Sequence, residues 1–231
     1  MRIWDISPGY LNRQSLLGEH RELHGIVSII ENGKKGYSNH PETIRWVGFG
    51  WALQQRHRQL AAEMLLRGYK EKSPVITRSN KGIWPDIYID EPCKQLQLLA
   101  GKYIDKEQGR IPLPRNAQQL WSNHKYSVLA RDVRLYKEIG SNVARIKDVN
   151  FSELTKVLTE LLRKPPSTGG MKNALQHMWG YVSEYSTERK GRIETLPLSE
   201  LLKEIQQYAI ASKNPYLNSS TALSELMAWI E

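Results

Sequence analysis

Two carboxylates, two histidines and an arginine lie within eight residues near the start of the chain, in the stretch GEHRELHG from Gly18 to Gly25. Carboxylates and imidazoles commonly act as general acids and bases, and an arginine can bind a phosphate. The stretch therefore contains the groups for acid–base chemistry on a phosphate-bearing substrate. A charged, solvent-exposed helix face is the alternative, because amphipathic helices usually carry such residues on their polar side.

A predicted amphipathic helix positions these side chains. Apolar residues and His20 recur at alternating spacings of four and three between Leu16 and Ile30, and Gly33 would end the helix. Glu22 would lie at the edge of the apolar face. A carboxylate at that edge can line a cleft while its helix stays anchored to the core.

The histidines of this helix raise the question of a metal. His20 and His24 are one helical turn apart, a spacing that two zinc ligands can use. However, Arg21 stands where the metalloprotease motif has its glutamate, and the sequence indicates no third ligand. His57 also falls on a predicted apolar stripe, as core histidines do. We therefore expect no metal and no other cofactor.

The composition favours a polyanionic partner. The chain has 231 residues, with 33 Lys and Arg against 24 Asp and Glu, and a formal charge of +9. Nucleic acid is the first candidate, although a basic protein need not bind it. The single cysteine, Cys93, excludes an internal disulfide and a multi-cysteine zinc site. The sequence contains no apolar stretch typical of a membrane span or a signal peptide, so we expect a cytoplasmic protein that binds no membrane.

The helical period predicts an all-α protein with two domains. Residues 1–75 would form an N-terminal helical domain, residues 76–111 a proline-rich junction with one short helix, and residues 112–231 a C-terminal helical bundle. A second helical region of the N-terminal domain would begin near Pro41 and end before Gly68. Gly48 and Gly50 could kink this region or let another part of the backbone approach closely.

Four separate motifs carry a family resemblance: MRIW, RQSLLGEHRELHG, ENGKKGYSNHPET and AAEMLLRGYK. Together they resemble the pyrimidine-dimer DNA glycosylase family, typified by phage endonuclease V, over roughly the first third of the chain. The resemblance implies an endonuclease V-like helical fold and a metal-free glycosylase that is also an abasic-site lyase. Its substrate would be double-stranded DNA with a damaged base.

The resemblance also implies the catalytic residues. The α-amino group of Met1 would attack the sugar C1′ and form a Schiff base, and β-elimination would then cut the strand. Glu22 would stabilise the cationic sugar and shuttle protons. α-Amino groups are less basic than lysine side chains, so a larger fraction is neutral and nucleophilic near pH 7. Because Arg2 is too bulky for ordinary removal of the initiator methionine, we expect Met1 to be retained.

The same resemblance assigns DNA contacts to Arg2, Gln14 and Arg21. Basic residues around and beyond the turn after the first helix could follow the duplex backbone: Lys34, Lys35, Arg45, Arg56, Arg58 and Arg67. A dimer cannot be attacked within an undisturbed base stack, so we expect the enzyme to kink the DNA and extrude a nucleotide.

Two departures from the family pattern leave other functions open. Ser15 stands where the family often has a histidine, and Gly25 stands where the phage enzyme has an arginine. A glycosylase or lyase for another modified base is therefore one alternative, and a non-catalytic nucleic-acid-binding protein is another.

From about Pro112 to the end, the chain resembles the YbgA-like bacterial domain, which has no assigned biochemical role. Lys125, Tyr126, His177 and Trp179 carry its motifs and could form a site. The alternative for Trp179 is a place in the helical core, which is the usual one for a tryptophan on an apolar face. The sequence does not indicate the partner of this domain.

Overall fold

The computed structural model describes residues 1–145, 149–185 and 195–230. Within these ranges the chain is helical and contains no β-strand, which confirms the all-α prediction. The chain divides into two compact units, Met1–Gly109 and Arg110–Glu231. The proline-rich residues 76–109 thus belong to the first unit, where the sequence suggested a separate junction. None of the described helices is long and apolar enough to cross a membrane.

The first unit contains four helices after an extended N-terminal segment, residues 1–12, that includes a single 3₁₀ turn. The helices are α1 Arg13–Glu31, α2 Pro41–Trp46, α3 Gly50–Leu66 and α4 Pro92–Lys102. Asn12 caps α1, since its side-chain oxygen accepts the N–H of Ser15 at 2.9 Å. Helix α4 is the short helix predicted within the proline-rich region.

Helices α1 and α3 pack against each other and form the core of this unit. Leu16, Leu23 and Ile26 are buried on α1, and Leu53 and Leu60 are buried on α3. Burying a side chain of this size contributes about 1.5–3 kcal/mol. The apolar face predicted for α1 is therefore the face that anchors it.

The single helical region predicted from Pro41 onward is two helices, α2 and α3. Gly48, which lies between them, adopts a φ of +86°, which a helix cannot accommodate. Gly50 begins α3 where a later part of the chain approaches closely: a Cβ on Gly50 would lie 2.6 Å from the hydroxyl oxygen of Ser79. That hydroxyl instead accepts the N–H of Gly50 at 3.0 Å.

The second unit is a helical bundle built around α5. Its described helices are α5 Ala117–Leu129, α6 Val133–Arg145, α7 Phe151–Leu162, α8 Thr168–Trp179 and α9 Leu198–Ala211, followed by the short helices α10 Pro215–Asn218 and α11 Ala222–Glu225. Helix α5 packs against α6, α7, α8 and α11. Asn150 followed three residues later by Glu153 is a sequence pattern typical of a helix start, and Asn150 caps α7 by accepting the N–H of Glu153 at 3.1 Å.

Candidate active site

The N-terminal segment runs antiparallel to α1 and is held by two carboxylates of that helix. The N–H of Arg2 donates to the Oε2 of Glu22. The N–H of Trp4 donates to the Oε1 of Glu19 at 3.1 Å. Glu19 and Glu22 are three residues apart and lie on one side of the helix. Met1 therefore extends beyond the point at which Glu22 holds the backbone, which brings the two predicted catalytic residues into one neighbourhood.

Glu19 is itself held by a buried arginine. Arg56 donates to its two carboxylate oxygens at 2.8 and 3.0 Å and also donates to the carbonyl of Ile6 at 2.9 Å. Burial raises the pKa of Glu19, and the Arg56 guanidinium opposes this effect. Arg56 thus connects α3, α1 and the N-terminal segment, and it is not available to a DNA backbone.

A second arginine, Arg67, directly follows the last residue of α3 and holds the far end of the N-terminal segment. Arg67 donates to the carbonyl of Leu11 at 2.8 Å and to that of Gly9 at 3.3 Å, while Glu63 accepts from it at 2.7 Å. Backbone groups that lie outside helices and sheets need such partners when they are buried. The extended segment is therefore anchored along most of its length.

The side chain of Arg2 has protein partners in this structure. Its guanidinium donates to Asp90 at 2.6 Å and lies 4.5 Å from the ring centroid of Trp4. It is about a quarter exposed. Arg2 can contact a phosphate or a damaged base only by sharing or exchanging the carboxylate of Asp90.

Arg45 does not lie on the surface, where the sequence analysis put it. It is 8% exposed and pairs with both carboxylate oxygens of Asp5 at 3.0 Å. The N–H of Asp5 in turn donates to Gln95 at 2.8 Å. The assignment of Arg45 to the DNA backbone is corrected by this geometry, because a buried bidentate ion pair leaves the guanidinium no open face for a phosphate.

An open groove of about 590 Å³ lies beside the first three turns of α1. Gln14 and Arg21, both predicted to contact DNA, line this groove and are exposed. Arg13 and Lys106 line it as well, and sequence reasoning did not select them. Lys106 follows α4, so only the tertiary fold brings it to the N-terminal end of α1. The groove thus gathers three cations and two amides on one surface, together with one carboxylate, that of Glu107.

Lys34 and Lys35 are exposed beyond the opposite end of α1. At a rise of 1.5 Å per residue, the helix between Gln14 and Glu31 spans about 25 Å. These lysines therefore do not line the same groove. The Nζ of Lys34 donates to the hydroxyl of Ser28 at 2.7 Å, and this bond holds the turn against the helix.

Sequence reasoning missed a cluster of four side chains, two of which lie on α1. His20, His24, His57 and Glu71 each offer one ligand atom, and these atoms lie within 4.8 Å of one another. The third and fourth ligands that the sequence did not indicate come from α3 and from the segment after it. Burial, with the neighbouring His20 and His24, lowers the pKa of His57 to about 4. Their wide sequence separation left no local motif to find.

In the second unit, two of the four predicted residues come together with other aromatic side chains. The Nζ of Lys125 lies 4.9 Å from the ring centroid of Tyr126 and 4.2 Å from that of Tyr216. Tyr216 stacks on Tyr181 with centroids 4.7 Å apart. Burial lowers the pKa of Lys125.

The other two predicted residues of the second unit, His177 and Trp179, differ in their exposure to solvent. Trp179 is buried, and its ring lies edge-on to Tyr208 at 5.8 Å. His177 is exposed. Trp179 thus belongs to the helical core, which was the alternative interpretation of this residue in the sequence.

Residues 1–77 match the family of pyrimidine dimer DNA glycosylases. Residues 125–226 match a family of proteins of unknown function, DUF1722. Both matches confirm the resemblances seen in the sequence, a glycosylase-like N-terminal part and a C-terminal domain without an assigned role. No curated protein and no solved structure shows significant similarity to the chain.

The glycosylase match covers α1, α2 and α3, together with the segment that carries Glu71. It therefore includes the N-terminal segment and the carboxylates that hold it. It ends before Asp90, the partner of Arg2, and before Lys106, the groove lysine. These two residues belong to the same compact unit but lie outside the matched part.

Proposed function

We propose that the first unit is a DNA glycosylase for pyrimidine dimers that also cleaves the strand as an abasic-site lyase. The α-amino group of Met1 is the nucleophile, and Glu22 is the acid–base residue. One observation carries this proposal: the carboxylate of Glu22 accepts the backbone N–H of Arg2, the residue next to the terminal amine. A nucleophile at a chain end gains much of its reactivity from being held close to its catalytic partner.

The reaction needs one proton carrier beside the amine. The amine forms a bond to C1′ while the bond from C1′ to the base breaks, and the base takes up a proton as it leaves. The bond from C1′ to the ring oxygen O4′ then breaks as nitrogen forms the imine double bond, and the two protons of the neutral amine end, through the carboxylate, on the leaving base and on O4′. Removal of a proton from C2′ then breaks the bond between C3′ and its phosphate oxygen. A carboxylate within reach of the amine can accept and return these protons.

The groove beside α1 supports double-stranded DNA as the substrate. Arg13, Arg21 and Lys106 can neutralise phosphates, and Gln14 can form hydrogen bonds with a backbone or a base edge. Lys34 and Lys35 could contact the same duplex about 25 Å away, a distance of roughly seven base pairs at 3.4 Å each.

Borohydride trapping tests the chemistry. Untagged protein is mixed with an end-labelled duplex that carries one cyclobutane pyrimidine dimer, and the crosslinked peptide is mapped by mass spectrometry. We expect trapping at Met1. Glu22→Gln should bind the damaged duplex but neither trap nor cut it, whereas Glu31→Gln, an exposed glutamate on the same helix, should react like the wild type.

The alternatives predict different outcomes of the same assay. Trapping on an abasic-site duplex but not on the dimer would keep the lyase and point to another modified base. Binding without trapping on either duplex would favour a non-catalytic DNA-binding protein. Full activity of a protein with an N-terminal extension would refute the role of the terminal amine, and a C-terminal extension serves as the control.

Salt dependence tests the groove. Each phosphate contact contributes about −0.9 to the slope of log K against log salt concentration. Lys106→Gln should therefore make the slope less negative by about 0.9 if its ammonium contacts a phosphate. Lys94→Gln changes an exposed lysine of α4 that does not line the groove, and it should leave the slope unchanged.

A further inference from the structure

Three histidines and one glutamate of the first unit converge on one point. His20 and His24 come from α1, His57 from α3 and Glu71 from the segment after α3. The Nε2 of His20 lies 3.3 Å from the Nε2 of His24 and 2.5 Å from the Oε2 of Glu71. The ring of His57 has its centroid 5.1 Å from that of His20 and 5.0 Å from that of His24.

His57 provides a second, independent observation. Its side chain is almost completely buried, with 4% of the residue exposed, and no described residue forms a hydrogen bond with its Nε2. A buried nitrogen without a partner costs about 1–3 kcal/mol. The other three members of the cluster already contact one another, so a purely hydrogen-bonded chain from Glu71 through His20 to His24 leaves this nitrogen unsatisfied.

We propose that His20, His24, His57 and Glu71 bind one Zn²⁺ ion as a four-coordinate structural site. Zinc accepts imidazole nitrogen at about 2.0–2.1 Å and carboxylate oxygen at about 2.0–2.2 Å. A tetrahedron of that size places neighbouring ligand atoms about 3.3 Å apart. The His20 and His24 nitrogens are already 3.3 Å apart, and binding of the ion would lengthen the 2.5 Å contact between His20 and Glu71 to that value.

The ligand set argues for zinc over Ca²⁺ and Mg²⁺. Ca²⁺ and Mg²⁺ prefer oxygen ligands, and only one of these four side chains provides oxygen. Four protein ligands also fill a tetrahedral shell, which is typical of structural zinc and leaves no open position for a substrate. We therefore infer that the ion ties α1 to α3 and to the segment after α3.

This site is separate from the proposed catalytic residues. Met1 and Glu22 supply none of its ligands. The zinc proposal therefore does not rest on glycosylase activity, and its test measures metal binding and stability.

The experiment uses tag-free, full-length protein freed of metal by a chelator and then dialysed. One equivalent of Zn²⁺ is added, unbound metal is removed by gel filtration, and bound zinc is measured by mass spectrometry. Co²⁺ is added to a second sample, because four-coordinate Co²⁺ absorbs visible light much more strongly than six-coordinate Co²⁺. Thermal unfolding is recorded with and without Zn²⁺.

The variants are Glu71→Gln and His24→Gln, neither of which is fully buried, with His177→Gln as the matched control. His177 is an exposed histidine of the second unit and lies outside the cluster. Circular dichroism of the metal-free variants shows whether they retain the helical fold before metal is added.

We expect one zinc per wild-type chain, the strong Co²⁺ absorption and a zinc-dependent rise in Tm. His177→Gln should keep all three properties. Loss of an outer-shell partner lowers metal affinity ~10–100-fold. Glu71→Gln and His24→Gln each remove a direct ligand, so their zinc affinity should fall by more than this factor. Weak, sub-stoichiometric zinc in the wild type would overturn the proposal, and so would equal zinc retention by folded Glu71→Gln and His24→Gln.

Discussion

Replacement of Arg56 by methionine should strongly destabilise the first unit. The Arg56 side chain is 3% exposed and that of its partner Glu19 is fully buried, with the two groups joined at 2.8 and 3.0 Å. Methionine fills much of the same volume but leaves the Glu19 carboxylate and the Ile6 carbonyl without this donor. Breaking a buried pair from one side typically costs about 3–5 kcal/mol. We expect a loss of about 3 kcal/mol, at the low end of this range, because burial raises the pKa of Glu19 and allows the carboxyl to take up a proton.

Hydrogen exchange of the α1 and α3 amides in the full chain measures this loss. The method reports the opening free energy of one region even where two units unfold separately. Arg58→Met, an exposed position on the same helix, is the control and should stay within about 0.5 kcal/mol of the wild type. A loss of about 1 kcal/mol or less for Arg56→Met, the size of an exposed ion pair, would refute the reasoning. The double variant Glu19→Gln/Arg56→Met should recover part of the loss because it buries no charge.

Two further predictions concern the second unit. Gly170→Ala should lower its stability by about 1–3 kcal/mol, since the added Cβ would lie 2.2 Å from the carbonyl oxygen of Ala130. Urea unfolding measures this loss as a lower midpoint. Gly169→Ala is the control and should not lower the midpoint, because its Cβ would have no atom within 4 Å. Burial lowers the pKa of His124 to about 4 from its ordinary 6.5, while its Nδ1 lies 2.9 Å from the carbonyl oxygen of Leu120. As the pH falls, His124 therefore becomes protonated in the unfolded chain before it does in the folded protein. The free energy of unfolding should decrease by about 3 kcal/mol between pH 6.5 and pH 4. NMR titration of the imidazole in chelator-treated protein checks this, and a midpoint near 6.5 would contradict it.

Sequence patterns predicted the elements that local interactions determine. The apolar period of α1, the short helix α4 and the cap of α7 at Asn150 depend on residues within a few turns of one another. The break between α2 and α3 was only suggested, because it depends on the approach of Ser79 to Gly50. Local propensity and period contain no information about such a distant contact.

In the candidate site, too, the residues set by local sequence were predicted and those set by distant contacts were not. Glu22, Gln14 and Arg21 were selected from a family motif on one predicted helix. In the structure Glu22 contacts the N-terminal segment, and Gln14 and Arg21 line the groove. Arg45 was assigned to the DNA backbone because it is one of the basic residues around the turn after the first helix. Its burial follows from pairing with Asp5, and the metal-ligand cluster likewise needs His57 and Glu71 from distant parts of the chain.

Two arginines, the buried Arg56 and the partly buried Arg67, explain how an extended segment can be held in place without a β-sheet. Buried ion pairs contribute little net stability compared with apolar packing, so stability alone is a weak reason for keeping them. Arg56 and Arg67, however, satisfy carbonyls of Ile6, Gly9 and Leu11 that no helix or sheet satisfies. Each guanidinium offers several donors in a fixed plane, which suits it to hold a carboxylate and a backbone carbonyl together. In a protein whose proposed nucleophile is the chain terminus, such anchoring supplies the positional precision that a side chain normally gains from its own helix.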